Sequence, residues 1–417
     1  MTRETLVLGA GMVGTSIAYH LAQRGRSVTL VDRRAPGEET SFGNAGIIQR
    51  EAVFPHAFPR DLGTLLRVLP NRSIDIRYRL KGMAAAAGPL FQYWRRSAPA
   101  SYRRIVPEYA SLIMRSTEEH QRLIDAAGAE ALISRKGWFD AFRSQKHLDA
   151  FCGEAEEAAQ RFGVGYRTRT PAELKAQEPH LAAEAFVGAI EWTNSWTVLD
   201  PGGLVQAYAR AFEAAGGRFQ QGEVRQVAKT ANGWRLDLAD GSLEAEELVL
   251  AAGPWSGDWL GQLGYRLPLF PKRGYHMHYA GEGEARLNHW LMDFDAGYLL
   301  APMRAGVRLT TGAELTTRDA PARHEQLAAA EKVARRLFPL GPRQDAAPWV
   351  GNRPCMPDMK PVIGPAPRHK GLWFAFGHGH QGFTLGPVTG RLLGEMMDDE
   401  EPAVPMAPFR AERFAGV

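Results

Sequence analysis

The first 32 residues limit what this chain can fold into more than any other stretch. Leu6-Val7-Leu8 runs into Gly9-Ala10-Gly11-Met12-Val13-Gly14, and a second apolar run, Val28 to Val31, ends on Asp32. This spacing predicts a β-α-β unit gripping a dinucleotide, with the pyrophosphate at the helix N-terminus. Gly9 permits the tight turn out of the strand, Gly11 lets the backbone approach the phosphates, and Gly14 lets helix and strand pack closely. Asp32, 18 residues beyond Gly14, is placed to accept hydrogen bonds from a ribose hydroxyl pair. The motif leaves FAD and NAD equally open.

A chain of 417 residues is too long for one core, so two domains are expected. Net charge is only +4, which argues against nucleic acid as a partner. Cys152 and Cys355 are the two cysteines, far apart, which suits a reducing cytoplasm rather than a disulfide framework. No apolar run approaches the roughly 20 residues that span a bilayer. The N-terminal apolar segment reads as the first strand of the nucleotide fold, not as a signal peptide. One local bias stands out: Arg72, Arg77, Arg79, Lys81, Arg95, Arg96, Arg103 and Arg104 face a single acid, Asp75. They flank the apolar segment Gly82 to Trp94, so residues 72–104 are either a solvated helical face or a peripheral contact with an anionic membrane surface.

Helical periodicity covers Met12 to Arg24, about Glu108 to Ala127, Leu148 to Phe162, the stretch after Leu199-Asp200-Pro201 to about Ala215, Trp255 to Leu263, Arg323 to Phe338, and Phe383 to Met397. Strand patterns cover Val224 to Ala228 and Trp234 to Leu238 as a hairpin, Leu248 to Gly253, Gly274 to Tyr279, Gly297 to Ala301, Val307 to Thr311 and Leu372 to Phe376. The class expected is α/β (α+β overall). A Rossmann-like nucleotide-binding domain is built from discontinuous segments, 1–128 with 198–262 and 345–417. A β-rich substrate-binding domain with flanking helices takes 129–197 with 263–344.

Four further constellations could carry chemistry. The loop Gly377-His378-Gly379-His380-Gln381-Gly382 joins a strand to a helix, so it aims backbone N–H groups at whatever it faces, with Thr384 as an added hydroxyl. Thr40-Ser41-Phe42-Gly43-Asn44-Ala45-Gly46-Ile47 offers small and hydroxylated residues that can line a cofactor. Arg353, held among Pro354, Pro357 and Pro361, suits a bidentate grip on a carboxylate, or is a structural arginine paired to an acid. Strand periodicity puts Arg273, Tyr275, Met277 and Tyr279 on one face and His276 with His278 on the other. The His pair has no acid near it in sequence, and no metal site is expected. Tyr298 is core packing or a pocket hydroxyl.

These segments in this order resemble the D-amino-acid oxidase superfamily of FAD enzymes, in its D-amino-acid dehydrogenase branch. The resemblance covers nearly the whole chain: Gly9 to Gly14 with Asp32, Thr40 to Gly46, Val198 to Pro201, Ala252-Gly253-Pro254-Trp255-Ser256, Arg353-Pro354 with Pro357-Asp358 and Pro361, and Gly377 to His380 with Gly382 to Pro387. It implies an extended FAD with adenosine at Asp32, pyrophosphate over Gly9 to Gly14 and Ser41, and the isoalloxazine between Asn44 to Ile47 and the C-terminal loop. Cofactor contacts follow at Met12, Val13, Arg33, Val224, Ala252, Gly253, Gly379, His380, Gln381, Gly382, Phe383 and Thr384. Arg353 would bind the carboxylate of an amino-acid substrate, assisted by Tyr275 or Tyr298. Hydride would leave the α-carbon for flavin N5, and electrons would pass on to a quinone or another carrier. Two departures matter. Sarcosine-oxidase relatives attach flavin through a cysteine six residues before the Pro-Asp pair, where this chain has Gly351, so noncovalent FAD is expected. The Gly-His-Gly-His form of the final loop sets His380 toward the substrate and points to a cyclic one, such as D-proline or a hydroxy-D-proline. Rival readings are an oxidase or demethylating dehydrogenase of N-methyl amino acids, an NAD-dependent dehydrogenase, and a noncatalytic flavoprotein subunit.

Overall fold

A computed structural model describes residues 3–414. Its first sheet has six strands in the order Arg218–Gln221, Ser27–Asp32, Glu4–Leu8, Glu247–Leu250, Leu372–Phe376, Val362–Pro365. The first five run parallel, and the sixth is antiparallel to its neighbour. Val7, Leu30, Val31, Leu248, Val249 and Phe374 are buried, as strands covered on both faces require. Three of its neighbouring pairs, Glu4–Leu8 with Glu247–Leu250, Arg218–Gln221 with Ser27–Asp32 and Glu247–Leu250 with Leu372–Phe376, join strands far apart in sequence, so the nucleotide fold is assembled from discontinuous segments.

Two helices pin those segments together. Met12–Gln23 and Gly382–Met397 pack so closely that a Cβ on Gly386 would stand 2.6 Å from Met12 Cγ, and one on Gly390 2.6 Å from the Ser16 carbonyl oxygen. Pro201–Ala214 covers the same layer, its start capped by the Asp200 carboxylate accepting from the Gly203 N–H at 2.9 Å.

The second large sheet has eleven strands. Its path runs Ile76–Tyr78, Ala313–Leu315, Phe270–Gly281, Gly306–Thr311, Tyr298–Met303, Trp290–Asp293, Trp138–Phe142, Gly188–Trp192, Tyr166–Arg169, with Leu340–Arg343 and Trp349–Cys355 also on Phe270–Gly281. A three-stranded meander, Val224–Lys229, Trp234–Leu238 and Gly241–Ala245, contains the expected hairpin. A small sheet joins Ile47–Ile48, Trp196–Val198 and Ile133–Ser134. Strands Trp349–Cys355 and Ile76–Tyr78 belong to the large sheet by pairing, although their sequence positions lie within 345–417 and 1–128. The chain returns to the six-stranded sheet only after the turn at Met356–Pro361.

The helix expected from about Glu108 to Ala127 is two helices, Pro99–Ile113 and Ser116–Ala127. The first begins at Pro99, earlier than expected, and runs through Pro107. The break sits at Arg115, whose guanidinium donates to the Ala403 carbonyl at 3.0 Å, beside fully buried Ser116. Gly390→Ala is expected to cost about 1–3 kcal/mol through overpacking of the two helices. The check is the thermal midpoint of the flavin-loaded protein; a midpoint equal to the wild type contradicts the close approach.

Candidate active site

A cavity of about 2010 Å3 lies between the two large sheets, and the β-α-β motif forms one end of it. Gly9 has φ +112°, and a Cβ there would stand 2.4 Å from the Ala251 carbonyl oxygen; one on Gly14 would strike the Gly9 carbonyl oxygen. Turn and helix-strand packing therefore need these two glycines, and only a small residue at Gly11 clears Ser41 Oγ, 3.3 Å from its ideal Cβ. The Met12 N–H donates to Ser41 Oγ at 2.9 Å, while the other N–H groups of that first turn have no partner within the helix. Asp32 accepts from the Ala10 N–H at 2.7 Å and the Arg34 N–H at 3.2 Å. Burial raises its pKa, opposed by the Ala10 and Arg34 bonds and by Arg33. A carboxylate so placed on the cavity wall gains from a hydroxyl pair. Arg33 stacks over the Trp255 ring at 4.3 Å and pairs with Glu39. Val224, Ala252 and Gly253 complete this end. The cradle fits a dinucleotide.

Farther along, Thr40, Ser41, Asn44, Ala45 and Ile47 face Gly379, His380, Gly382 and Phe383 across the cavity. Thr384 joins the two walls: its hydroxyl donates to the Ile47 carbonyl at 3.3 Å and accepts from the Gln49 N–H at 3.3 Å. Gln381 donates to Gln49 Oε1 at 2.6 Å. Gly14, Gly46, Gln381 and Thr384 stand behind the wall rather than on it, and act by holding the lining residues in place. The Asn44 side chain accepts from the Gly46 N–H at 2.8 Å, so it shapes the loop.

Another part of the cavity wall is cationic. Arg353 projects over Gly274, where an ideal Cβ would be 2.6 Å from its guanidinium, and donates to the carbonyls of Gly312 at 3.1 Å and Thr311 at 3.4 Å. It has no acidic partner among the described residues, so it is not the acid-paired structural arginine that the sequence left open. Lys272, opposite Arg353 in register, donates to Tyr93 Oη at 3.1 Å and lies over that ring at 4.3 Å. Burial pushes the Lys272 ammonium down, but Tyr93 and Cys355 outweigh this and leave it above the usual lysine value. Burial lowers Arg353 and raises the neighbouring Cys355 thiol. His380 meets His56, ring centres 4.5 Å apart. Burial, with Lys272 and Arg353 adding to it, lowers His56 to about 4 and His380 well below its ordinary value, so both are neutral at pH 7.

Arg353 and His380 thus come together; Tyr275 and Tyr298 border the same cavity, but their side chains pack into the core cluster away from Arg353. Residues opposite one another in a sheet share a face, so Arg353 sides with Lys272 and Gly274, whereas Tyr275 points to the other side. There its hydroxyl donates to Glu314 Oε2 at 2.5 Å and accepts from the Arg323 N–H. Tyr298 packs into that same far-side core, its hydroxyl pushed well up by burial and by Asp293. Sequence reasoning missed Lys272 and His56. Lys272 was legible from alternation, two before Gly274 on its face; His56 came from a stretch with no pattern.

An acid does reach the His276–His278 pair. Asp345 accepts from the His278 Nδ1–H at 2.8 Å, and the three side chains offer ligand atoms within 4.8 Å of one another. Arg308 Nε donates to His278 Nε2 at 2.9 Å, and its Nη1 donates to the carbonyls of Phe42 and Asn44. A guanidinium inside the group opposes a cation there. The cluster braces the Phe42–Asn44 loop of the cradle.

Residues 4–396 match the family model described as DAO, FAD dependent oxidoreductase. A D-amino-acid oxidase of Bradyrhizobium diazoefficiens is 28% identical over 99% of both chains. A D-amino acid dehydrogenase of Cereibacter sphaeroides is 32% identical over 98% of this chain and 95% of its own. Among solved structures, glycine oxidase from Geobacillus kaustophilus superposes with a TM-score of 0.75 at 23% identity over all of both chains. The L-proline dehydrogenase of P. horikoshii gives 0.75 at 18% identity over 99% and 98%. With the dinucleotide cradle on one side and the family match on the other, the chain belongs to the DAO family of FAD-dependent oxidoreductases.

Proposed function

We propose that the protein oxidises the α C–N bond of D-amino acids. The observation that carries this is the unpaired Arg353, with Lys272 beside it, in the same cavity as the FAD cradle. Two fixed cations without an acid bind a carboxylate, and each charge-assisted hydrogen bond contributes about 1.5–3 kcal/mol. The same cations depress the pKa of a nearby substrate ammonium, favouring the neutral amine. His56 and His380, neutral and adjacent, can accept a hydrogen bond from that amine without adding positive charge. Bound FAD would take up the α-hydrogen and two electrons as hydride, and the imino acid released hydrolyses to a 2-oxo acid and ammonia. The D preference rests on the relatives named for D-amino acids.

The residues that would hold FAD are Asp32 at the ribose, Gly9 to Val13 with Ser41 at the pyrophosphate, and Asn44 to Ile47 with Gly379 to Phe383 at the isoalloxazine. We propose that it is held noncovalently, since Gly351 stands where a flavin-bearing cysteine would be needed. Acid precipitation is then expected to leave the flavin in the supernatant; yellow colour in the pellet contradicts this.

The electron acceptor we propose is a quinone taken from a membrane surface. Leu65, Val68, Leu69 and Leu80 line the cavity, and Leu62, Leu66, Leu69, Leu80 and Phe91 are exposed around it. Arg72 and Lys81 are exposed among them, while Arg67 pairs with Asp75 and Arg79 with Glu314; basic residues beside exposed leucines suit anionic lipid. No helix among the described residues is long and apolar enough to cross a membrane; the contact we propose is peripheral, at the inner face. Co-sedimentation with phosphatidylglycerol vesicles is expected to fall at least about tenfold in Leu66→Glu/Leu69→Glu; equal sedimentation removes this part.

The glycine oxidase and proline dehydrogenase neighbours leave N-substituted and cyclic substrates as the second reading. Anaerobic bleaching of the flavin with D-amino acids, N-methyl amino acids and D-proline separates them, and formaldehyde marks demethylation. Bleaching by D-amino acids is expected, with kcat/KM lowered about a hundredfold or more in Arg353→Leu. Bleaching confined to N-methyl substrates, or indifferent to Arg353, contradicts the proposal. His380→Ala is expected to change the ranking of D-substrates.

A further inference from the structure

The large sheet lays a ruler across the substrate cavity. Thr310, Leu299, Met292 and Asp140 are successive partners on four adjacent strands, so they form one row on one face, and all four line the cavity. The Arg353 guanidinium sits at the Thr310 end of that row, bonded to the carbonyls of Thr311 and Gly312. Three inter-strand steps, about 14 Å in all, separate it from the strand of Asp140. Leu299 and Met292 make the floor between them apolar.

Asp140 is only 5% exposed, yet it has no cationic partner among the described residues. One of its oxygens accepts from the Trp192 indole N–H at 2.7 Å; the other takes no hydrogen bond from the protein. Glu51, 7% exposed, and Glu154 lie close enough to repel it, and neither of these is ion-paired. Trp138 and Trp192, whose strands pair at these two residues, present aromatic rings beside the acid. Burial, with that repulsion, raises the Asp140 pKa to about 8, so the empty site keeps its proton at pH 7. A carboxyl group buried without a cation among indole rings is the chemistry that receives one from a ligand.

Resting on the amino-acid reading of the Arg353 end, we propose that the Asp140 arm binds a cationic side chain, so that the substrate lies across the sheet with its α-carboxylate on Arg353, its methylenes over Leu299 and Met292, and a guanidinium or ammonium on Asp140. An amino acid of arginine or lysine length spans this row, whereas a proline ring leaves the arm empty.

Isosteres that differ in charge test this on the flavin-loaded protein. D-Arginine is expected to exceed D-citrulline in kcat/KM by at least about tenfold, mostly through KM, and D-lysine to exceed D-norleucine likewise. Asp140→Asn brings both ratios toward one. Equal or reversed ratios in the wild-type protein, or ratios unmoved by Asp140→Asn, overturn the inference. Titration of the oxidised flavin spectrum separates the two proposals. Tighter binding of D-arginine than D-citrulline without flavin reduction keeps the cation site and overturns the oxidative reading; binding of neither overturns the cation site.

Discussion

The contact between the helices Met12–Gln23 and Gly382–Met397 is the constraint on which the rest depends. The first helix begins at the turn that approaches the pyrophosphate, and the second begins at the loop that faces Asn44 to Ile47. They meet through Gly386 and Gly390, which leave no room for a Cβ against Met12 and Ser16. Thr384 ties the same loop to the backbone of Ile47 and Gln49. Two chain ends more than 360 residues apart thereby become one rigid cofactor seat, and the large sheet hangs its substrate wall from that seat.

Charge along the cavity is ordered. The cofactor end offers backbone N–H groups and one carboxylate. The middle, at Arg353 and Lys272, is cationic with neutral histidines beside it. The far arm is aromatic, and its one acid, Asp140, is buried without a cation and held protonated at pH 7. Burial makes an unpaired charge costly at either place, and a ligand that brings an anion to Arg353 and a cation to Asp140 removes that cost. This ordering is what the proposed substrate, a zwitterion bearing a second cation, would match.

The sequence showed the seat clearly because its reasons are local. Gly9, Gly11, Gly14 and Asp32 act within one β-α-β unit, and the Gly377–Gly382 loop repeats the strand–turn–helix logic. Arg353 was legible from its proline frame. The rest was set by strand pairing over long separations, which periodicity does not encode. Tyr275 and Tyr298 were plausible pocket hydroxyls until register put them on the far face. Asp345 reached the histidine pair from 67 residues away, and Asp140 reached the cavity as one member of an apolar strand. The break at Arg115 and the strand membership of Trp349–Cys355 likewise depend on partners distant in sequence.

A crystal structure of the flavin-loaded protein with a slow-reacting D-arginine analogue tests the central claim most directly. The isoalloxazine is expected between Asn44–Ile47 and Gly379–Phe383, the α-carboxylate on Arg353 beside Lys272, and the guanidinium at Asp140 over the Leu299–Met292 floor. A carboxylate bound away from Arg353, or a flavin ring seated elsewhere in the cavity, would contradict it.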